Sequence, residues 1–456
     1  MAVESIVKKS ELEGTCRIDA EYYQLKYDRN REFLNRFNLY MLGDICEYIT
    51  NGATPYHEDL TAGEVRFLTA EHIYDLYIDY TNSKYIKKEY HTGKLKRTAL
   101  KNGDLLVTIK GRVGNAAVVF DLQSNTNINQ DVARLILKVS WNPFYVASFL
   151  NTIFGKLQSE QLSTNQINPF LGLGNLKYVK IPPCPPELAK EVETFIQESQ
   201  TLLRNSESLY LQAERMLLTI LGLDNFDFSQ PNYYTVPLSQ AQELNRVDAD
   251  HFQPKYDKLI QHLTKERKIK QLGEVASYIK RGLQPTYIED GEVIVVNSQH
   301  LGRYLLNIEG TERTNYNFWE TNGRARLEKD DVLVYSTGAY VGRTNVWLED
   351  QKGIASNHVT IIRKLRGCNP LYLSVYLNAL PGLLQAEKWS TGSGQRELYP
   401  EAIANFFVYL PSEGFQTKIA NLVIQSYKAR KKAKSLLEEA KKKVEEMIEK
   451  ESFKNR

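Results

Sequence analysis

Two stretches of the chain carry residue types that hydrogen-bond readily to the edges of nucleic-acid bases. In the first, basic and amide side chains lie in and after a short glycine-framed turn: Lys110, Arg112, Asn127, Asn129 and Gln130. Arginine and lysine suit guanine, whereas asparagine and glutamine suit adenine. This stretch therefore has the chemistry to read a base sequence. The sequence leaves open the alternative that these residues form ordinary polar surface turns.

A later stretch keeps the glycines and changes the polar residues between them. Gly111 and Gly114 return as Gly338 and Gly342. The candidate contact residues here are Thr337, Tyr340, Arg343, Ser356, Asn357 and His358. Two domains that recognise different base sequences would need the same backbone scaffold with different polar side chains.

A pair of polar loops further along supplies secondary candidates for base or phosphate contact. The first loop contains Asn165 and Gln166, and the second contains Gln395 and Arg396. The second loop has the glycine-rich sequence STGSGQ, and the first has no glycine at the equivalent positions.

The sequence offers no catalytic residue and no metal site. Asn142-Pro143-Phe144-Tyr145 lacks the second proline of the Asn-Pro-Pro-aromatic catalytic motif of DNA adenine methyltransferases, and its copy from Asn369 has leucine at that position. Asparagine followed by proline is typical of the start of a helix, which is the interpretation we prefer. His72 and His300 occupy equivalent places without neighbouring ligand clusters, which favours a structural hydrogen bond.

The chain is one module of about 227 residues used twice. Residues 17–29 read RIDAEYYQLKYDR and residues 246–258 read RVDADHFQPKYDK, with identity at seven of thirteen positions. Further matches follow in the same order through both halves. Each copy begins with short β-branched runs, continues with a helix from the Asn-Pro pair, and ends in a long helix free of glycine and proline.

The two long helices carry a heptad pattern with small residues at the seam. The residues expected to pack there are Val192, Ser199, Leu202, Ser206, Leu209, Ala213, Met216, Ser426, Ala433, Leu436, Ala440 and Met447. Because the two seams match each other, we expect antiparallel pairing. The alternative is that each helix lies on the surface of its own module.

The net charge, hydrophobicity and cysteine spacing of the chain limit the classes of function that it can have. The formal charge of the 456 residues is only +3, so a grip on DNA would be shared with partner subunits. The N-terminus lacks a secretory pattern, and no apolar run is long enough to span a bilayer. The four cysteines, Cys16, Cys46, Cys184 and Cys368, are widely spaced, which indicates the reducing cytoplasm.

The duplicated order of strand-rich domain, proline exit and long helix resembles the specificity subunit of type I restriction–modification systems. The motifs that carry the resemblance are Leu42-Gly43-Asp44 with Gly52 and Pro55, their copies from Leu272, and the loop from Ser390. The resemblance covers essentially the whole chain.

The resemblance implies an α+β fold with two target recognition domains, separated by two long antiparallel coiled-coil-like helices with pseudo-two-fold symmetry. The expected boundaries are 1–182 and 230–411 for the recognition domains, with helical spacers at 183–229 and 412–456. The implied partners are double-stranded DNA with a bipartite target, two methyltransferase subunits and, in some assemblies, translocase/endonuclease subunits. S-adenosylmethionine is expected in the methyltransferase partner and no cofactor in this chain.

Two other functions remain open from the sequence. One is a scaffold that holds two protein partners across a helical stalk without binding DNA. The other is an autonomous methyltransferase, which would bind S-adenosylmethionine itself.

Overall fold

A computed structural model of the chain describes residues 6, 8, 17–55, 63–81, 83–165, 167–229, 231–265, 269–308, 310–392 and 394–454. The chain forms two compact units. Unit 1 contains residues 1–203 and 430–456, and unit 2 contains residues 204–429. The boundaries between the units therefore fall inside the two long helices.

Within the described residues, the first copy of the module forms nine strands and six short α-helices before the first long helix. The strands are β1 (Tyr40–Met41), β2 (Cys46–Asn51), β3 (Val65–Leu68), β4 (Lys84–Ile86), β5 (Leu105–Thr108), β6 (Ala116–Val118), β7 (Thr126–Ile128), β8 (Val132–Leu137) and β9 (Lys180–Ile181). The helices are α1 (Leu25–Leu34), α2 (Leu42–Ile45), α3 (Lys88–Thr92), α4 (Pro143–Asn151), α5 (Ile153–Leu162), α6 (Leu173–Leu176) and the long α7 (Pro186–Leu221).

The second copy repeats this series. Its strands are β10 (Ile269–Gln271), β11 (Ala276–Arg281), β12 (Val293–Val296), β13 (Arg313–Thr314), β14 (Val332–Tyr335), β15 (Thr344–Val346), β16 (Gly353–Ala355), β17 (Val359–Leu365) and β18 (Phe407–Tyr409). Its helices are α8 (Leu238–Glu243), α9 (Pro254–Thr264), α10 (Leu272–Val275), α11 (Tyr316–Thr321), α12 (Pro370–Asn378), α13 (Leu380–Trp389), α14 (Pro400–Ala404) and the long α15 (Glu413–Lys454).

Both copies have the same sheet topology. A four-stranded antiparallel sheet has the order β2-β8-β5-β6 in unit 1 and β11-β17-β14-β15 in unit 2. A three-stranded sheet has the order β4-β3-β7 or β13-β12-β16, and its β3·β7 and β12·β16 pairs are parallel. A short pair, β1·β9 or β10·β18, completes each copy. The predicted α+β fold and tandem repeat are thus confirmed.

The Asn-Pro motifs are helix starts. The side chain of Asn142 accepts hydrogen bonds from the backbone N–H groups of Phe144 and Tyr145, and Pro143 is the first residue of α4. Asn369 caps α12 in the same way. Each helix packs its apolar side chains against the four-stranded sheet of its unit, where β5 and β14 are fully buried. The interpretation as caps is confirmed.

In unit 1 the first half of α7 pairs with the second half of α15. The Ser199 hydroxyl donates to the backbone carbonyl of Ala433 at 2.9 Å. Glu198 pairs with Lys432 and Glu191 with Lys443, so the residue numbers run in opposite directions. The helices are therefore antiparallel here, as predicted.

In unit 2 the second half of α7 pairs with the first half of α15. The Ser426 hydroxyl donates to the backbone carbonyl of Ser206 at 2.7 Å, and the two hydroxyls lie 3.0 Å apart. Ser426 is the repeat equivalent of Ser199, and Ser206 that of Ala433. The same seam contact therefore occurs once in each unit.

The buried face of α7 differs from a simple two-helix seam. Val192, Ser199, Ser206, Ala213, Ser426, Ala433 and Ala440 are buried. Leu202, Leu209, Met216, Leu436 and Met447 are half-buried. In α7 the second fully buried row lies one residue later, at Ile196, Tyr210 and Leu217. This row is displaced because α7 also packs on the core of each unit, which requires a wider apolar stripe.

Among the residues that the structure describes, no helix is both long and apolar enough to cross a lipid bilayer. Within the same residues, no group of three histidine, cysteine or carboxylate side chains could hold a metal ion.

Candidate nucleic-acid interface

Three loops of unit 1 meet at one end of the four-stranded sheet. We call them loop A (109–115), loop B (129–131) and loop C (163–171). The backbone N–H of Ile109 donates to the carbonyl of Asp131 at 2.9 Å, which joins loops A and B. The N–H of Leu171 donates to the carbonyl of Ile109 at 2.8 Å, which joins loops A and C. Backbone bonds thus fix the cluster independently of its side chains.

The same loops meet in unit 2, where we call them A′ (336–343), B′ (356–358) and C′ (390–398). The N–H of Ser336 donates to the carbonyl of His358 at 2.9 Å. The N–H of Leu398 donates to the carbonyl of Ser336 at 2.8 Å. These bonds join the positions equivalent to those in unit 1, so both modules present one loop scaffold.

Four predicted contact residues of unit 1 are exposed on this cluster. Lys110 and Arg112 project from loop A, and the Arg112 guanidinium lies 4.5 Å from the centre of the Tyr74 ring. Gln130 on loop B accepts a hydrogen bond from the Thr54 hydroxyl. Asn165 on loop C is exposed, whereas Gln166 lies outside the described residues.

Two predicted contact residues of unit 1 have structural roles instead. Asn127 is fully buried; its amide nitrogen donates to the Leu95 carbonyl, and its oxygen accepts from the Thr98 hydroxyl. Asn129 is 5% exposed, donates to the Asp131 carboxylate and accepts from the Asp131 backbone N–H. Because these polar groups are used within the module, we remove both residues from the candidate surface.

Unit 2 presents a different set of exposed side chains. Tyr340 on loop A′ is 55% exposed, and Gln395 and Arg396 on loop C′ are also exposed. The guanidinium of Arg343 lies 3.6 Å from the centre of the Tyr340 ring, a cation–π contact. Burial lowers the pKa of Arg343 from its ordinary value, which nevertheless leaves the group charged at neutral pH.

The remaining predicted residues of unit 2 are less accessible. Thr337 and Ser356 are buried, and Ser356 accepts the His358 N–H, so the prediction of surface contacts is corrected for both. Asn357 and His358 are half-buried on loop B′. The buried Thr337 hydroxyl and Asn357 side-chain oxygen lack a hydrogen-bond partner in the structure.

Loops C and C′ have the same backbone form in spite of their different sequences. Asn165 has φ +65° and its equivalent Gly392 has φ +91°. Asparagine tolerates this left-handed region better than most other residues. A bridge between Thr164 and Phe170 closes loop C, and one between Thr391 and Glu397 closes loop C′. The loop lacking glycine therefore keeps its shape.

Sequence reasoning missed a charged group beside loops A′ and C′. Arg281, the last residue of β11, lies 3.9 Å from the Glu397 carboxylate and 4.8 Å from the centre of the Tyr399 ring. Tyr399 donates its hydroxyl hydrogen to Glu397. The equivalent residues in the first module are Asn51, Phe170 and Gly172. Aligning the repeats position by position would have revealed this exchange of charged for neutral residues.

The equivalent histidines stabilise turns. The ring nitrogen Nδ1 of His72 accepts the Thr69 N–H at 3.0 Å, and Nδ1 of His300 accepts the Asn297 N–H at 2.9 Å. Burial lowers the pKa of His300, which favours the neutral ring that can accept this bond. The structure thus agrees with the prediction of a structural hydrogen bond in each module.

No family model matches the chain, and no curated protein matches it. Solved structures of specificity subunits are similar to the chain. The S subunit of a type I restriction–modification system from M. genitalium is 13% identical, with 91% of this chain and 96% of that chain covered and a TM-score of 0.45. The HsdS subunit from Thermoanaerobacter tengcongensis is 14% identical over 91% and 96%, with a TM-score of 0.28.

A chain from a study of complex assembly and conformational transition in the type I R-M system is 15% identical. The match covers 91% of this chain and 97% of that chain, with a TM-score of 0.29. The first two structures are described as S or HsdS subunits, and the third as part of a study of the type I R-M system. Because identities and TM-scores are low, the case for function rests on the residues of this chain.

Proposed function

We propose that this chain is a sequence-specific DNA-binding protein whose two modules each read one half of a bipartite target. Within that class, we propose that it is the specificity subunit of a type I restriction–modification system and has no catalysis of its own. The supporting observation is the repeated loop cluster, whose backbone is the same in both units while its exposed side chains differ.

The loop side chains suit base reading. Loop A offers Lys110 and Arg112, and loop C′ offers Gln395 and Arg396. Charged and amide groups at exposed loop tips can reach base edges in a groove, while the buried backbone bonds hold the loops in place. Preorganised loops reduce the ordering cost of binding.

The weak net charge supports a function within a complex. A chain with a formal charge of +3 has little long-range attraction for DNA phosphates, which supply most non-specific affinity. We propose that two adenine-methyltransferase subunits, which would bring S-adenosylmethionine, share the grip. A translocase/endonuclease subunit is a further proposed partner. We propose that the whole complex acts on DNA in the cytoplasm.

We propose that the helical segments 183–229 and 412–456 set the gap between the two half-sites, and that 1–182 and 230–411 read them. Paired helices suit a spacer because their length is fixed by the rise of 1.5 Å per residue.

Salt-dependent binding tests this function. The complex of this chain with its methyltransferase partner should bind a duplex that carries the bipartite target. Its affinity should fall by about a thousandfold between roughly 50 and 200 mM salt. Lys110→Gln with Arg112→Gln should weaken binding, and each lost phosphate contact should reduce the salt slope by about one.

The matched control is Lys138→Gln with Lys177→Gln. Both lysines are exposed near Cys46, the first residue of β2. Loops A–C lie at the opposite end of the sheet. This control should bind like the wild-type complex. A complex that holds two protein partners but binds no duplex would contradict the proposal and favour the scaffold function.

A further inference from the structure

The strongest repeated motif, Arg-x-Asp near the start of each module, has no role in the function described so far. In unit 1 the Arg17 guanidinium forms a two-pronged pair with the Asp19 carboxylate, with an Nε–Oδ1 distance of 2.8 Å. Its third nitrogen, Nη1, donates to the carbonyls of Gln161 at 3.3 Å and Ser163 at 3.0 Å. One side chain thus joins the start of the module to the start of loop C.

The second module repeats the carboxylate pair and one of the two bonds to the helix end. Arg246 forms the same two-pronged pair with Asp248, with Nε–Oδ1 at 2.9 Å, and Nη2 donates to the Ser390 carbonyl at 3.2 Å. Ser390 is the equivalent of Ser163. A neighbouring ion pair also recurs, since Lys26–Glu160 at 2.6 Å corresponds to Lys255–Glu387 at 2.7 Å.

These contacts lie where a helix leaves its carbonyls unsatisfied. The last four carbonyls of an α-helix lack partners within the helix, and a cation near that end is also favoured by the helix dipole. Gln161 is in the last turn of α5, and Ser163 is its C-cap. Arg17 satisfies both carbonyls and fixes the point at which the chain leaves the helix.

The carboxylate orients the arginine. The hydrogen bond from Arg17 holds the pKa of Asp19 below its ordinary range, and Arg246 has the same effect on Asp248. Both carboxylates are therefore ionised at neutral pH. A planar guanidinium held on two carboxylate oxygens has little freedom. In unit 1 its remaining nitrogen, Nη1, points at the helix end, whereas in unit 2 Nη2, which also holds Asp248, makes that contact.

Backbone bonds join the two ends of each loop to each other. Thr164 and Phe170 exchange two hydrogen bonds of 2.9 Å, as do Thr391 and Glu397 at 2.8 Å. Because these bonds close the base of the loop and the arginine holds its first residue, the tip is left as the variable part.

We propose that Arg17–Asp19 and Arg246–Asp248 are positioning pairs, each of which sets the conformation of loop C or C′ and so controls base discrimination by its own module alone. This inference rests on the proposed function. Neither arginine needs to touch DNA.

The test uses the full chain in complex with its methyltransferase partner. Arg17→Lys keeps the charge but cannot hold a carboxylate and two carbonyls in one plane. Competition binding would use the duplex methylated by the wild-type complex, and duplexes with single base-pair changes in either half. We expect discrimination in the first half-site to fall about tenfold and the second to stay unchanged. Arg246→Lys should do the reverse.

Additional measurements separate a positioning role from a general loss of structure. Hydrogen exchange at the Thr164 and Phe170 amides should accelerate in Arg17→Lys, while thermal unfolding stays close to that of the wild type. Asp19→Asn should reproduce the loss in discrimination, because it removes the orienting carboxylate. Arg31→Lys is the matched control, since Arg31 pairs with Asp28 on the exposed surface of α1.

Unchanged discrimination and unchanged exchange in Arg17→Lys would overturn the inference while leaving the proposed function intact. Equal losses in both half-sites would overturn it as well, because the two pairs would then not act separately. A wild-type complex that binds no DNA would instead overturn the proposed function.

Discussion

The two modules hold their loops with the same backbone bonds and present different side chains on them. Unit 1 places Asn51 and Phe170 where unit 2 has Arg281 and Glu397. Loop A carries two exposed cations, whereas loop A′ carries Tyr340 over Arg343. The comparison teaches that the fold was preserved by backbone and core contacts, which left the loop side chains free to diverge.

The comparison extends to an ion pair within each module, whose carboxylate immediately precedes β5 or β14. In unit 1, Arg134 binds Asp104 with side chains 7% and 5% exposed. In unit 2, Arg363 binds Asp331 but also Glu328, which is 62% exposed. The two pairs differ in one respect, since only the arginine of unit 2 has a second carboxylate partner among the described residues.

The largest effect should come from removing the carboxylate of unit 1. Asp104→Ala leaves Arg134 buried without a carboxylate, and should lower the free energy of unfolding of unit 1 by about 3–5 kcal/mol. Asp331→Ala should cost less, because Arg363 keeps an exposed pair with Glu328 worth roughly 0.2–1 kcal/mol. Urea unfolding followed by hydrogen exchange in each unit measures both.

As a control, Lys329→Ala with Asp350→Ala removes an exposed ion pair and should change stability by less than about 0.5 kcal/mol. If Asp331→Ala lowered the free energy of unfolding more than Asp104→Ala does, the pair with Glu328 would not explain how the two units differ.

A smaller effect is expected at the helix seam. Ser199→Ala removes one hydrogen bond to Ala433 and should cost about 0.5–1.5 kcal/mol. Ser426→Ala should cost more, because the buried Ser206 hydroxyl also loses its neighbour, and leaving a polar group unsatisfied costs about 1–3 kcal/mol.

The double variant Ser206→Ala with Ser426→Ala serves as the control for the seam. It should be more stable than Ser426→Ala alone, since it leaves no orphaned hydroxyl. Equal stability of the two would mean that Ser206 finds another acceptor, such as a carbonyl of its own helix.

Much of the fold could be predicted because the two copies of the module can be aligned with each other. Positions that match in both copies, such as Asn142 and Asn369, are the ones that build the scaffold. The buried face of α7 could not be placed from the heptad alone, because Tyr210 and Leu217 pack on the body of unit 2 as well as on α15.

The candidate site was harder to predict. An asparagine on a strand, such as Asn127, gives no sign in the sequence that nearby backbone carbonyls and hydroxyls will use its amide. Arg281 was missed for the opposite reason: it ends a strand, and the loop that brings Glu397 to it lies more than a hundred residues later.

The most direct test of separate reading is a genome-wide map of methylated adenines made by the complex, with and without an exchange between the modules. The exchange is Arg281→Asn with Glu397→Phe, which gives unit 2 the residues of unit 1. Arg281 lies beside loops A′ and C′ and pairs with Glu397 of loop C′, so the exchange should relax recognition of one base pair in one half-site, with about 1–3 kcal/mol of discrimination lost.

The control is Lys329→Asn with Asp350→Asn, an exposed pair at the opposite end of β14 from loop A′. We predict a bipartite methylated motif for the wild type and the control. For the exchanged variant we predict a change in one half only, with the other half and the gap intact. Changes in both halves, or an unaltered motif, would contradict separate reading by the two modules.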